Sequence, residues 1–157
     1  MGLDAFMKID GIPGESSDAQ FKDWIEVVSF NWELDAPSSA TSRTGGLRCS
    51  AFGVVKVIDK ATPLIFKAMT QAERINEIDV AFCRAGKEKV KYLDYVFKNC
   101  IITKVTFGTT GESGQNLPVE HVHFRFATVE ITYYQQKRDT GSSAGQIVQQ
   151  WSPSNWS

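Results

Sequence analysis

Val119-Glu120-His121-Val122-His123-Phe124-Arg125-Phe126-Ala127-Thr128-Val129-Glu130-Ile131-Thr132-Tyr133-Tyr134-Gln135 is the stretch that decides the fold. In its first half Val122, Phe124 and Phe126 stand at even positions, opposite His121, His123 and Arg125. Successive strand residues point to opposite faces, so this alternation reads as a half-buried β-strand. After Ala127 the phase flips: Val129, Ile131 and Tyr133 become the apolar set, opposite Thr128, Glu130 and Thr132. A period of two that slips by one residue implies a bulge or a strand crossing from one sheet to another. Both are devices for closing a barrel.

The neighbouring sequence is of the same kind. In Asp23 to Leu34, Trp24, Val28, Phe30, Trp32 and Leu34 share one face, and Ser29, Asn31 and Glu33 share the other. The apolar set of this run is expected to be buried, because so much large apolar surface is costly in water. Cys49 to Ile58 reads as a second long strand, and Glu77 to Arg84 places Ile78, Val80 and Phe82 on one face. Lys91 to Phe107 is one long bent strand or a hairpin without a strong turn signal. One segment carries helical signals: Thr62 as N-cap, Pro63 in the first turn, then Leu64, Ile65, Ala68, Met69 and Ala72 at helical spacing. The polar stretches Pro37 to Gly46, Gly108 to Leu117 and Gly141 to Gly145 read as loops. The expectation is a single, mainly β domain over 1–157 with one helix packed on it. Residues 136–157 are expected to form a partly ordered C-terminal tail.

Composition narrows the function. The chain has 157 residues, 42% hydrophobic and 22% charged, which fits one globular domain rather than a disordered chain. Seventeen Lys and Arg against 18 Asp and Glu leave no basic excess to neutralise phosphates, so no nucleic-acid partner is expected. No apolar run approaches a membrane-spanning helix, so no membrane insertion is expected. Met1 to Asp10 lacks a basic start, and Asp4 and Lys8 interrupt any apolar core, so no signal peptide is expected. Cys49, Cys83 and Cys100 cannot all pair within one chain and form no C-x-x-C; they read as buried free thiols.

Motifs for chemistry are scarce. Gly111-Glu112-Ser113-Gly114 has the wrong spacing for a nucleophile elbow, and no glycine cluster leads into a phosphate loop. His121 and His123 are the only histidines, and their i, i+2 spacing points both to one strand face. Such a pair can begin a zinc site, which still needs a third ligand, and Arg125 on the same face repels a dication. No catalytic residue, metal or cofactor is therefore assigned. A metal-dependent hydrolase using His121 and His123 remains a weaker alternative, beside a monomeric barrel binding a small apolar ligand. Trp151 and Trp156 stand out as large aromatics in a polar tail, where they dock on their own domain or anchor a partner.

Seven pieces of sequence, in order, carry a resemblance. They are Phe6-Met7-Lys8-Ile9; Gly14-Glu15-Ser16; Phe30-Asn31-Trp32; Asp59-Lys60-Ala61-Thr62-Pro63; Arg84-Ala85-Gly86 leading to Tyr92-Leu93; Phe126 through Tyr133; and the late Trp151. Together they resemble the Hcp (hemolysin-coregulated protein) family, the inner tube of the bacterial type VI secretion system. The resemblance implies a two-sheet β-barrel-like core with one flanking α-helix. It also implies a homo-hexameric ring whose copies stack into a tube, fired by a contractile sheath with its tip proteins. It further implies a carrier of effector proteins in the ring lumen, cytoplasmic before firing and then exported without a signal peptide. On this basis Ser29, Asn31 and Glu33 are expected to face the lumen and touch effectors. Arg43, Leu47 and Trp151 are expected at contacts between subunits.

Overall fold

Strands make up most of the computed structural model, which describes residues 3–36, 47–86, 89–109, 117–136, 143–153 and 155–156. They are β1 Leu3–Ile9, β2 Ile25–Val27, β3 Ser29–Asn31, β4 Leu34–Asp35, β5 Arg48–Cys49 and β6 Phe52–Val57. The helix α1, Thr62–Thr70, follows, and then come β7 Arg74–Arg84, β8 Lys91–Thr109, β9 Pro118–Gln136, β10 Ser143–Trp151 and β11 Asn155–Trp156. The main sheet runs β2-β1-β7-β8-β9-β6-β3, with β10 also paired to β9; a small second sheet is ordered β11-β5-β4. The mainly β, two-sheet barrel-like fold with one helix is therefore present. Arg43 and the rest of 37–46, most of the Gly108 to Leu117 loop, and 141–142 lie outside the described residues.

The two ends of that sheet order, β2 and β3, are successive pieces of one chain. Ala5 to Met7 of β1 pair with Ile25 to Val27, while Gly53 to Val55 of β6 pair with Ser29 to Asn31. Only Val28 separates them, and its N–H donates to Val55 O at 2.7 Å. One strand-like run thus closes the sheet into a barrel, which satisfies both edges. This closure corrects the single alternation read across Asp23 to Leu34. Ile25 is the fully buried residue, while Val28 (59%), Phe30 (39%) and Leu34 (48%) are exposed. The phase breaks where the chain changes neighbours at Val28, and Leu34 has left the barrel for the second sheet.

The phase flip in β9 has a comparable cause. Val119 to Phe124 pair with β6, whereas Val129 to Gln136 pair with β10. Around the changeover, Cys100 faces Phe126 and Lys98 faces Thr128, so Asn99 and Ala127 stand level. Asn76 of β7 stands level with them, between the pairs Ile75–Cys100 and Glu77–Lys98. Asn99 has φ 54°, a left-handed conformation that Asn tolerates. A crease runs through these three positions, and the buried side switches across it: Phe124 and Phe126 before, Val129 after. The flip is a bend with a change of partner, and the register slip in this strand pair lies elsewhere, between Ile102 and Lys104. Beyond the crease Thr132 is buried, against expectation, because it stands between Asp94 of β8 and Val148 of β10.

Aromatic rings fill the barrel. Phe52, Phe97, Phe124 and Phe126 pack with ring centroids 4.7 to 5.4 Å apart, and Trp32 lies 5.9 Å from Phe52 and Phe126. Trp32 Nε1 donates to Cys49 Sγ at 3.2 Å. A smaller cluster on the outer side joins Phe6, Phe21, Ala81 and Cys83, with Trp24 against it. The loop that supplies Phe21 needs Gly14: a Cβ there would meet Trp24 O at 2.4 Å.

Two charges sit inside the barrel wall. Lys56 and Glu120 face each other across β6 and β9, both 0% exposed, and form an ion pair. Lys56 Nζ also bonds Asp59 Oδ1 (2.8 Å) and Val57 O (3.1 Å). Thr62 Oγ1 donates to Glu120 Oε1 (2.9 Å) and accepts the Asp59 N–H (3.1 Å). Thr62 is thus not the N-cap; Ala61 takes that place, and the hydroxyl fastens the helix start to the wall instead. Of the expected apolar stripe, Ile65 and Ala68 are buried, Met69 is half-buried, and Leu64 and Ala72 are exposed.

Desolvating two charges is costly, and removing one leaves the other buried and uncompensated. Glu120→Ala is expected to lose about 3–5 kcal/mol in urea unfolding. The double variant Lys56→Met, Glu120→Leu is expected to lose less than Glu120→Ala alone, since no charge is then stranded. A double variant less stable than the single one contradicts this account of the pair.

Candidate functional site

The outer wall of the barrel gathers four of the residues singled out from sequence. β3, β6 and β9 are adjacent, and their registers align two rows on the outward face. Asn31, Gly53, His123 and Lys104 form one row; Ser29, Val55, His121 and Thr106 form the next. Ser29, Asn31, Gly53, His121 and His123 line a shallow depression of about 240 Å³. The inward neighbours Phe52, Val54, Val122 and Phe124 are buried, so period-two geometry forces these polar groups outward. Ser29, Asn31 and His121 are exposed, and His123 is half-buried.

Gly53 determines how His123 sits. A Cβ on Gly53 would lie 2.8 Å from His123 Cδ2 and 3.0 Å from Nε2. The imidazole therefore lies over bare backbone. Burial lowers its pKa below the usual histidine value, with Lys104 and His121 adding to the effect. At neutral pH the ring is uncharged, and the floor of the depression presents donors and acceptors rather than charge. No group of three His, Cys, Asp or Glu side chains able to hold a metal occurs among the described residues. The arrangement suits hydrogen bonding to a polar partner.

The other expected site residues lie apart. Glu33 joins β3 to β4, where its N–H bonds Ser50 Oγ and its C=O accepts the Ser50 N–H, both at 3.0 Å. Leu47, half-buried, precedes β5 in the second sheet. Trp151 stands opposite Val129 at the end of β10, half-buried and packed on the barrel core. It borders a recess of about 220 Å³ with Lys98, Thr128 and Glu130. Docking on its own domain, one of its two expected roles, accounts for its buried part.

Sequence reasoning passed over the charged residues inside the wall. Lys56 continues the inward series Phe52, Val54, and Glu120 precedes the inward series Val122, Phe124, Phe126. That phase was the available signal. The three cysteines are free and buried, as read. Burial raises the pKa of Cys49, pushes Cys83 up to about 11 and Cys100 up to about 12.

Comparison with known proteins places these features in a family setting. The family described as type VI secretion system effector, Hcp, matches residues 6–133. Protein hcp1 of Pseudomonas aeruginosa is 28% identical over 156 residues, covering 96% of this chain and 95% of that protein. The crystal structure of Hcp1 from Salmonella typhimurium has a TM-score of 0.77 at 29% identity, covering 97% and 95% of the two chains. Another solved structure, of a type six secretion system protein, reaches 0.85 at 25% identity, covering 96% of each chain.

Two measurements check the local chemistry. In an NMR titration one histidine, assigned as His123, is expected below 6.5, and Gly53→Ala is expected to move it upward as the methyl pushes the ring toward water. The lowered value means that His123 resists protonation in the fold, so its effect on stability is a loss as pH falls below 6.5. At pH 8 a thiol reagent is expected to leave all three cysteines of the native protein largely unmodified and to label all three in guanidinium. Rapid native labelling contradicts their burial.

Proposed function

The chain belongs to the Hcp family of type VI secretion system proteins, matched over residues 6–133, and from that premise we propose that it is a structural subunit of the secretion tube. Six copies close into a ring, rings stack, and the tube passes out of the cell behind a tip and inside a contractile sheath. The subunit waits in the cytoplasm and leaves it on firing. The observation that carries this reading is the family match over most of the chain, joined to a barrel whose outer wall is available for contacts.

In the ring, the outward face bearing Ser29 and Asn31 lines the lumen and contacts effectors, with Glu33 at its margin. Small neutral polar side chains keep such a wall wet while offering hydrogen bonds to several cargoes. Arg43 and Leu47 reach onto a neighbouring subunit, and the exposed part of Trp151 adds to that contact. A closed ring uses two different patches of each subunit, and closure leaves no free interface sideways. The subunit performs no catalytic step and needs no cofactor, metal, nucleic acid or membrane. The aromatic filling of the barrel supports this over a small-ligand carrier, because Phe52, Phe97 and Phe124 occupy the space such a ligand would take.

Native mass and negative-stain microscopy test the assembly: rings of six are expected, and a monomer overturns the reading. Deleting Ser38 to Thr44 is expected to give soluble monomers, and intact rings after that deletion remove the loop from the interface. Asn31→Arg is expected to keep fold and ring mass while reducing effector co-purification or export. Normal cargo handling by that variant contradicts a lumenal Asn31. Stoichiometric zinc in protein purified without a metal column, lost on His121→Ala, would favour the hydrolase alternative.

A further inference from the structure

The wall between β7 and β8 holds a second buried pair of ionisable groups, this time both acids, remote from the depression described above. Asp79 stands opposite Val96, and Ala81 stands opposite Asp94. The two carboxyl groups are therefore diagonal neighbours on the outward face. Asp94 is 6% exposed and Asp79 is partly buried. They lie within hydrogen-bonding reach of each other. Lys91 Nζ is 3.4 Å from Asp94 Oδ2 and 5.4 Å above the Tyr134 ring. Oδ1 of Asp79 and Oδ1 of Asp94 are both shut off from water, and neither accepts a hydrogen bond from a neighbouring donor.

Ionised carboxylates only accept hydrogen bonds, so two of them in contact satisfy nothing and repel. One proton resolves the geometry, because a protonated carboxyl donates to its neighbour. We propose that Asp79 and Asp94 share a single proton that latches β7 to β8, and that losing this proton loosens that part of the barrel wall.

The surrounding charges do not supply a substitute. Lys8 of β1 stands opposite Asp79, and Asp4 of the same strand stands opposite Cys83. Glu77 and Cys83 flank the pair on β7, and β9 contributes Glu130, opposite Val96, and Tyr134. Lys91 is the cation bonded to the pair, and it reaches Asp94 only. Burial followed by the contact with Asp94 pushes the Asp79 pKa up from 3.8 to about 8. A carboxyl raised on folding gives stability that is fully present below about 4 and is lost as pH rises through about 8. The ladder is weakest on one side of the pair: its register slips between Phe82 and Cys83. Opening is therefore expected toward that end, around Val80 to Leu93, before the end near Arg74 and Ile101.

Two measurements on the full chain test the latch. Infrared spectra at pH 7 are expected to show a neutral carboxyl band that Asp79→Asn and Asp94→Asn each remove. Both groups ionised at pH 7 overturns the proposal. Amide exchange, corrected for its intrinsic pH dependence, is expected to show protection of Val80 to Leu93 falling up to about tenfold per pH unit between 6 and 8. The β6–β9 pair is expected to change less. Asp79→Asn, whose amide donates at every pH, is expected to abolish the local fall; if that variant does not fold, Asp94→Asn serves instead. A pH-independent wild type, or a variant with the same slope, contradicts the latch.

Discussion

The backbone from Ile25 to Asn31 hydrogen-bonds to both ends of a sheet that would otherwise stay open. Everything else in the molecule depends on that closure. A strand edge left unpaired exposes donors and acceptors to any passing chain, and here the two edges are occupied by successive residues. Because the change of neighbour happens within one residue, at Val28, the two partners β1 and β6 are brought together, and the rings of Phe52, Phe82 and Phe97 are enclosed between the walls. Phe30, just past the changeover, stacks on Phe52, lies tilted against Phe82 and covers that core from the rim.

Closure also explains where charge is tolerated. Both buried ionic groups sit in the walls, where neighbouring strands bring a compensating atom within reach. Lys56 finds Glu120 directly opposite and Asp59 at the helix entry, so the same contacts that neutralise it fix α1 on the barrel. Asp79 finds another carboxylic acid instead, and burial without a full cation partner shifts its protonation rather than forming a second ion pair. One arrangement acts as a fixed clamp and the other as a protonation-dependent one. The difference follows from whether the buried side chain within reach is a base or an acid.

The family match and the geometry bear on different parts of the functional reading. Membership in the Hcp family rests on sequence spread along the chain. The character of the outward face is a matter of local geometry: Gly53 strips side chain from one position of β6, and His123 settles over it beside Asn31. That creates a hydrogen-bonding floor beside Lys104 in a chain of nearly balanced charge.

Sequence by itself determined the mainly β class, the single helix and the face on which Ser29, Asn31, His121 and His123 lie. It did so because side-chain alternation is a local property with a fixed period of two. It also located the bend in β9, since a strand that changes neighbours must change its buried side. Only the tertiary structure decided that Val28 and Leu34 stay in water, that Thr62 bonds Glu120 rather than capping its helix, and that Asp79 meets Asp94. Those outcomes depend on which strand lies alongside. Strand partners here are separated by up to 81 residues along the chain, as for Leu3 of β1 and Arg84 of β7. Alternation records which way a side chain points, and carries no information about what waits there.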